Sequence, residues 1–290
     1  MIGFIGFGEA AFHIARGLRA SGAPASFAFD IHWVTPGKCE RIGDRAGEAG
    51  VGLVESPAKL AERCDILLSL VTADRAVEAA SQNRPCLGPR HLYVELNSVS
   101  PETKRVIGES IGGAGARFVE GAIMAPVPGP GHRVPILVNG PYAGEFVAAM
   151  RPYEMRLETL DAEIGSAAAV KMCRSIVIKG MEALMVECLL ASGRYGTSER
   201  VFQSLEGSYP GMKWRELARY MAGRVFEHGP RRAREMEEVE ATLRSAGIEP
   251  IMSEAIARRQ DWRAHVGDAG TLDEMLGLLG GAPQTVKESK

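Results

Sequence analysis

The sequence predicts an α/β chain in two parts: a doubly wound N-terminal half built on a parallel sheet, and an all-α C-terminal half entered through one long helix. Three observations predict it. Over residues 1–162 short apolar runs alternate with helical patterns, as successive βαβ units do. From residue 163 to 290 the β-branched clusters thin out and aliphatic residues recur at helical spacing. Residues 165–192 contain no proline and a single interior glycine, Gly180, so one helix far longer than the average of about 11 residues is expected there. At roughly 150 residues per domain, 290 residues make two.

The elements follow in order. Residues 3–6 form a first strand, 9–20 a helix and 26–29 a second strand. The run 65–71 is apolar throughout and bounded by polar residues, which marks a strand buried on both faces. Residues 92–96, 117–119 and 134–138 complete the strands, the last followed by the turn signal Asn139-Gly140-Pro141. Trp214 and Trp262 are expected to pack among the C-terminal helices, His228 to stand at the start of a helix, and the polar tail 283–290 to fray.

Composition removes several function classes. Lys and Arg number 34 against 36 Asp and Glu, so no overall positive field gathers nucleic acid or anionic lipid. No apolar run approaches the roughly 20 residues that span a bilayer, and no basic stretch precedes the opening apolar residues, so a cytoplasmic chain without membrane contact is expected. The 5 cysteines are scattered without a Cys-x-x-Cys pair, which fits free thiols. The 6 histidines form no His-x-x-x-His pair, and no metal site is expected. Neither a serine nucleophile elbow nor a phosphate-loop lysine is present.

The chemistry begins at Gly6-Phe7-Gly8-Glu9-Ala10-Ala11, a G-x-G-x-x-A turn directly after an apolar strand and opening a helix. In such a turn the first glycine permits the bend, the second lets backbone approach a pyrophosphate, and the small third residue lets helix and sheet pack closely. The helix N–H groups then face the phosphates. Asp30 ends the second strand, where a carboxylate accepts from a ribose hydroxyl and repels a 2′-phosphate. NAD is therefore favoured over NADP, with Lys38 and Arg41 close enough in sequence to leave room for NADP. Val71 and Thr72, at the end of the 65–71 strand, and Ser98 join the expected cofactor contacts. A methyltransferase of similar layout would place S-adenosylmethionine at this turn; the early position of the turn and Ala11 favour the dinucleotide.

Met172-Cys173-Arg174-Ser175 and His228-Gly229-Pro230-Arg231-Arg232-Ala233-Arg234-Glu235-Met236 resemble an uncharacterised bacterial branch of the β-hydroxyacid dehydrogenase and 6-phosphogluconate dehydrogenase superfamily, and four further stretches together resemble that superfamily. They are Gly3-Phe4-Ile5-Gly6-Phe7-Gly8, Glu95-Leu96-Asn97-Ser98-Val99-Ser100-Pro101, Phe118-Val119-Glu120-Gly121-Ala122-Ile123-Met124-Ala125, and Gly165-Ser166-Ala167-Ala168-Ala169-Val170-Lys171. The resemblance implies a Rossmann domain, a long interdomain helix and an all-α domain that pairs between subunits into a homodimer. It also implies hydride exchange between NAD and a small, anionic hydroxy acid. Lys171 would be the general acid/base, with Ser175 and Asn97 orienting the hydroxyl. Better-known members carry Ser-Gly-Gly in the substrate loop and Asn four positions after the lysine; this chain has Met124-Ala125-Pro126 and Ser175, so its substrate pocket differs.

At about 100° per residue, Ser175, Ile178 and Glu182 lie within about 40° of Lys171 around a helix, and Lys179 about 80° away. The residues around Lys171 are small or apolar, so its ammonium is expected to be partly desolvated, which suits proton transfer. Arg174, Arg231, Arg232 and Arg133 are candidate anion-binding forks. Arg231, Arg232 and Arg234 also stand among Glu235, Glu237, Glu238 and Glu240, where an intrahelical ion-pair surface is an equal reading. An NADPH-dependent imine reductase and a non-catalytic dinucleotide sensor remain the alternatives.

Overall fold

A computed structural model describes residues 1–35, 37 and 39–261. Lys38, Trp262 and the tail 283–290 lie outside the described residues. The chain divides into two compact units, 1–172 and 173–290.

The first unit alternates strand and helix: β1 (Ile2–Ile5), α1 (Glu9–Ala20), β2 (Ser26–Phe29), α2 (Cys39–Ala49), β3 (Val51–Leu53), α3 (Pro57–Arg63), β4 (Ile66–Ser69), α4 (Ala76–Asn83), β5 (Leu92–Glu95), α5 (Pro101–Gly112), β6 (Arg117–Ile123), β7 (Ile136–Asn139), α6 (Ala143–Met150) and β8 (Leu157–Thr159). The strands form one sheet in the order β3-β2-β1-β4-β5-β6-β7-β8. The first six are parallel and reverse direction of growth between β1 and β4, the switch point of a dinucleotide-binding Rossmann sheet.

Alternation along each strand feeds two cores. Phe4 joins Ile14, Leu18, Ile42 and Phe146 on the face covered by α1, α2 and α6. Its neighbour Ile5 joins Leu60, Ala76, Ala80, Ile107 and Ile111 on the face covered by α3, α4 and α5. Burial on both faces explains why the strands read as continuous apolar runs.

The sheet is parallel as expected except in one place, where β7 runs antiparallel to β6. The segment between them holds only a short turn of 3-10 helix at Gly131–Arg133, and without a crossover helix the chain returns in the opposite sense. The helix α6 then carries the chain across to β8, which is parallel to β7. β3 and β8 were not foreseen; each has three residues, too few for a periodic signal.

Helix α7 (Ser166–Arg194) fulfils the expectation of a long helix, and the division between the units falls within it. The second unit continues with α8 (Ser198–Ser208), α9 (Trp214–Ser245) and α10 (Ile251–Gln260). Its core joins Met185, Val186 and Leu189 of α7 to Ala218, Met221, Ala222, Val225 and Phe226 of α9, with Phe202 and Trp214 packed against it. His228 stands within α9, not at a helix start, because α9 continues through Pro230. The absent proline N–H normally breaks a helix; here packing against α10 overrides it, the Gln260 carbonyl lying so close to Gly229 that a methyl there would sit 2.2 Å from it. Among the described residues no helix is long and apolar enough to cross a membrane.

Candidate functional site

The turn after β1 is built as the spacing requires. Gly6 has φ +81°, and a methyl on it would sit 2.8 Å from the Leu70 carbonyl oxygen, so only glycine fits. Phe7 is fully buried and Ala11 packs into the core, which pins the turn to the sheet. Gly8 is different: a methyl there would meet nothing within 4 Å. It is also the N-cap of α1, and no side chain caps that helix. The first-turn N–H groups around Glu9, Ala10 and Ala11 therefore open toward a cradle suited to an anion.

Asp30 follows β2 and is largely buried. Its Oδ2 accepts from the Phe7 N–H at 2.7 Å and its Oδ1 from the His32 N–H at 2.8 Å. The carboxylate thus ties the glycine turn to the end of β2, and each oxygen keeps a further lone pair for a hydroxyl. A pocket of about 430 Å³ lined by His32, Gly37, Glu40, Arg41 and Ile42 adjoins this end of β2.

One lateral row of the sheet is polar where it crosses four strands: Ser69, Glu95, Glu120 and Asn139 are register partners in sequence across β4, β5, β6 and β7. All four are buried. Asn97, one step beyond this row, donates from Nδ2 to Ser69 Oγ at 3.0 Å and accepts the Val71 N–H at Oδ1 at 2.7 Å. It joins the loops that follow β4 and β5 and retains one amide N–H. Thr72 is exposed and Ser98 half-buried on those loops. Glu95 pairs with Lys104 of α5, whose ammonium also donates to the carbonyls of Glu95, Asn97 and Gly121 at 3.1, 3.0 and 2.8 Å. Burial pushes the Glu95 carboxyl above its usual range, with the Lys104 charge opposing the shift.

Glu120 receives the start of α7. Its Oε2 accepts the Gly165 N–H at 2.7 Å and its Oε1 the Ala168 N–H at 2.8 Å. Asn139 donates to the Glu163 carbonyl at 2.6 Å and reaches Glu120 Oε2 at 3.4 Å. Lys171 follows Ala168 by one turn and is half-buried, as is Ser175, while Arg174 is exposed. Met124 and Ala125 are half-buried and Pro126 exposed on the loop after β6. That loop is anchored onto α1 through His132, whose Nε2 lies 2.9 Å from Ser21 Oγ. Arg133 is exposed and paired with Glu154.

In the second unit Arg231 is exposed, 3.9 Å from Glu235 one turn on. Arg232 is not a surface residue: it is buried and paired with Glu182 of α7, to which Gln260 also donates at 3.1 Å. Lys179 is buried too, 3.0 Å from Glu235; desolvation pulls its pKa down, with Glu235 opposing. Helical spacing alone does not tell which residues of a second helix stand opposite, so this network had no sequence signal. The polar row did: the runs Ile-Leu-Leu-Ser, Leu-Tyr-Val-Glu and Ile-Leu-Val-Asn each end in a single polar residue. Among the described residues no group of three or more His, Cys, Asp or Glu is placed to hold a metal ion.

Residues 193–262 match the family described as Domain of unknown function (DUF1932). A conserved hypothetical protein from Sinorhizobium meliloti 1021 is 37% identical, with 96% of this chain and 95% of that one covered and a TM-score of 0.78. The conserved protein MTH1747, of unknown function and with structural similarity to 3-hydroxyacid dehydrogenases, is 32% identical over 97% of this chain and 99% of its own, with a TM-score of 0.73. The 3-hydroxyisobutyrate dehydrogenase of Mycobacterium tuberculosis, solved with L-serine, shares the fold at 15% identity and a TM-score of 0.74, with 97% and 99% covered.

Proposed function

The chain belongs to the β-hydroxyacid dehydrogenase and 6-phosphogluconate dehydrogenase superfamily, and from that membership we propose an NAD-dependent oxidoreductase acting on the CH–OH group of a small, anionic hydroxy acid. The observation that carries this reading is the open, uncapped start of α1 at Gly8, set directly beside the β1/β4 switch point.

Gly6, Phe7, Gly8, Glu9, Ala10 and Ala11 would hold the pyrophosphate through backbone, with Asp30 accepting from the ribose and Val71, Thr72, Asn97 and Ser98 on the nicotinamide side. When bound, the nicotinamide supplies hydride exchange with the substrate carbon. Lys171 Nζ takes and returns the hydroxyl proton, and Ser175 and the remaining Asn97 N–H orient that hydroxyl. The acid group of the substrate meets Met124, Ala125 and Pro126, with Arg174 and Arg231 as candidate cations; Arg232 enters only if it leaves Glu182. The preference for NAD rests on the Asp30 carboxylate, which disfavours a 2′-phosphate. Residues 1–162 serve as the nucleotide domain and 163–290 as the substrate and homodimer domain.

The test is a panel of hydroxy acids, sugar acids and their phosphates, followed by nucleotide reduction with NAD and with NADP. With the substrate so found, Lys171→Ala loses about 10²- to 10⁴-fold in kcat while NADH affinity is kept. Turnover intact in Lys171→Ala would reject the assignment.

A further inference from the structure

We propose that Glu120 is a positioning residue for the reaction assigned above, one that fixes the start of α7, and through it Lys171, by accepting the Gly165 N–H at one carboxylate oxygen and the Ala168 N–H at the other. The inference rests on the reading of Lys171 as the acid/base group.

The geometry favours this over an ordinary buried carboxylate. Helix N-termini are normally satisfied by a neighbouring Ser, Thr, Asp or Asn side chain, as Ser56 does for α3 and Ser100 for α5. The start of α7 is held instead from a different strand, 45 residues away in sequence at Gly165 and 48 at Ala168. The two N–H groups go to separate oxygens, so a glutamine, with its single acceptor, would turn an NH₂ toward one of them. Gly165 itself has φ +103° and packs closely on α5, a methyl there coming 3.1 Å from the Pro101 carbonyl. Ala168 and Lys171 are three residues apart, about 4.5 Å along the axis, so what holds Ala168 sets where the lysine is presented.

Glu120 is also stitched to the opposite side of the site. The next carbonyl, Gly121, accepts from Lys104, and the same ammonium donates to the Glu95 and Asn97 carbonyls. A continuous buried path therefore links Asn97 to the lysine turn. The charged groups around Glu120 are the Lys104 ammonium at Gly121, the Glu95 carboxylate in register beside it and the Arg105 guanidinium at Gly165, 3.3 Å from where a methyl would be.

The test follows acylation of Lys171 against pH in the full chain by mass spectrometry, with the exposed Lys213 as internal reference. In Glu120→Gln one acceptor is lost and the start of α7 is no longer held at both N–H groups, so the Lys171 acylation rate should change roughly three-fold relative to Lys213. Glu120→Asp, which keeps both acceptors and the charge, should stay near the wild-type profile. A cap that only held the helix together would lower the melting temperature in Glu120→Gln and leave Lys171 unchanged, and that result overturns the proposal. Should Glu120→Gln not fold, the wild-type chain carrying ¹³C at the Glu carboxyls decides: the Glu120 resonance should report the Lys171 titration, and a flat trace overturns the proposal. Neither readout uses nucleotide or substrate. A shifted Lys171 profile in a chain that binds no NADH would therefore refute the functional reading and leave this inference standing.

Discussion

Helices α1 and α7 both start at the level where the strands of the first unit end, and they start in opposite states. At α1 no side chain caps the helix and a methyl on Gly8 would touch nothing. At α7 the Gly165 and Ala168 N–H groups are already taken by Glu120. Both ends carry the partial positive charge of a helix N-terminus. One satisfies it internally, and the other has no side-chain cap.

The largest expected effect lies on the closed side. Lys104→Met leaves Glu95 buried without its cation and should cost about 3–5 kcal/mol in urea unfolding; a loss under about 1 kcal/mol would mean that the row is not charge-locked. Next comes a contrast within the open turn. Gly6→Ala forces a side chain onto φ +81° and against the Leu70 carbonyl, and should cost about 1–3 kcal/mol. Gly8→Ala should change stability by less than about 0.5 kcal/mol. Equal losses at the two positions would erase the distinction between a glycine needed for folding and one needed for ligand. Asp30→Asn keeps one acceptor for two N–H groups and removes the charge, so the ratio of NADPH to NADH affinity should rise about ten-fold by titration.

The smallest effect concerns His132, which anchors the loop after β6 onto α1. Burial, helped by Arg133, holds its pKa below the usual 6.5. Its folded pKa lies below the unfolded value, so its contribution is fully present above pH 6.5 and is lost as pH falls through the lowered folded value. Urea melts at falling pH should show wild type losing up to about 1 kcal/mol relative to His132→Gln; parallel pH profiles would remove His132 from the account.

Much of the first unit was legible from pattern. The glycine turn, the helix from Glu9 to Ala20 and the strand from Ser26 to Phe29 follow from local spacing, because turn, period and burial agree there. The antiparallel β7 was not legible, since apolar alternation carries no strand direction. Nor was the pairing of Arg232 with Glu182, because each helix states its own faces but not its neighbour. Glu120 carries no signal of its own beyond the Phe118–Ala125 pattern; its partners lie on another element and come together only in the fold.

The most direct measurement is NADH binding, by fluorescence titration, to the wild-type chain and to Gly8→Val. The open start of α1 predicts saturable binding to wild type and at least about a ten-fold weaker affinity in a Gly8→Val chain whose melting temperature is unchanged. Equal affinity in the two chains, or no binding to either, would contradict the claim that this turn receives the nucleotide.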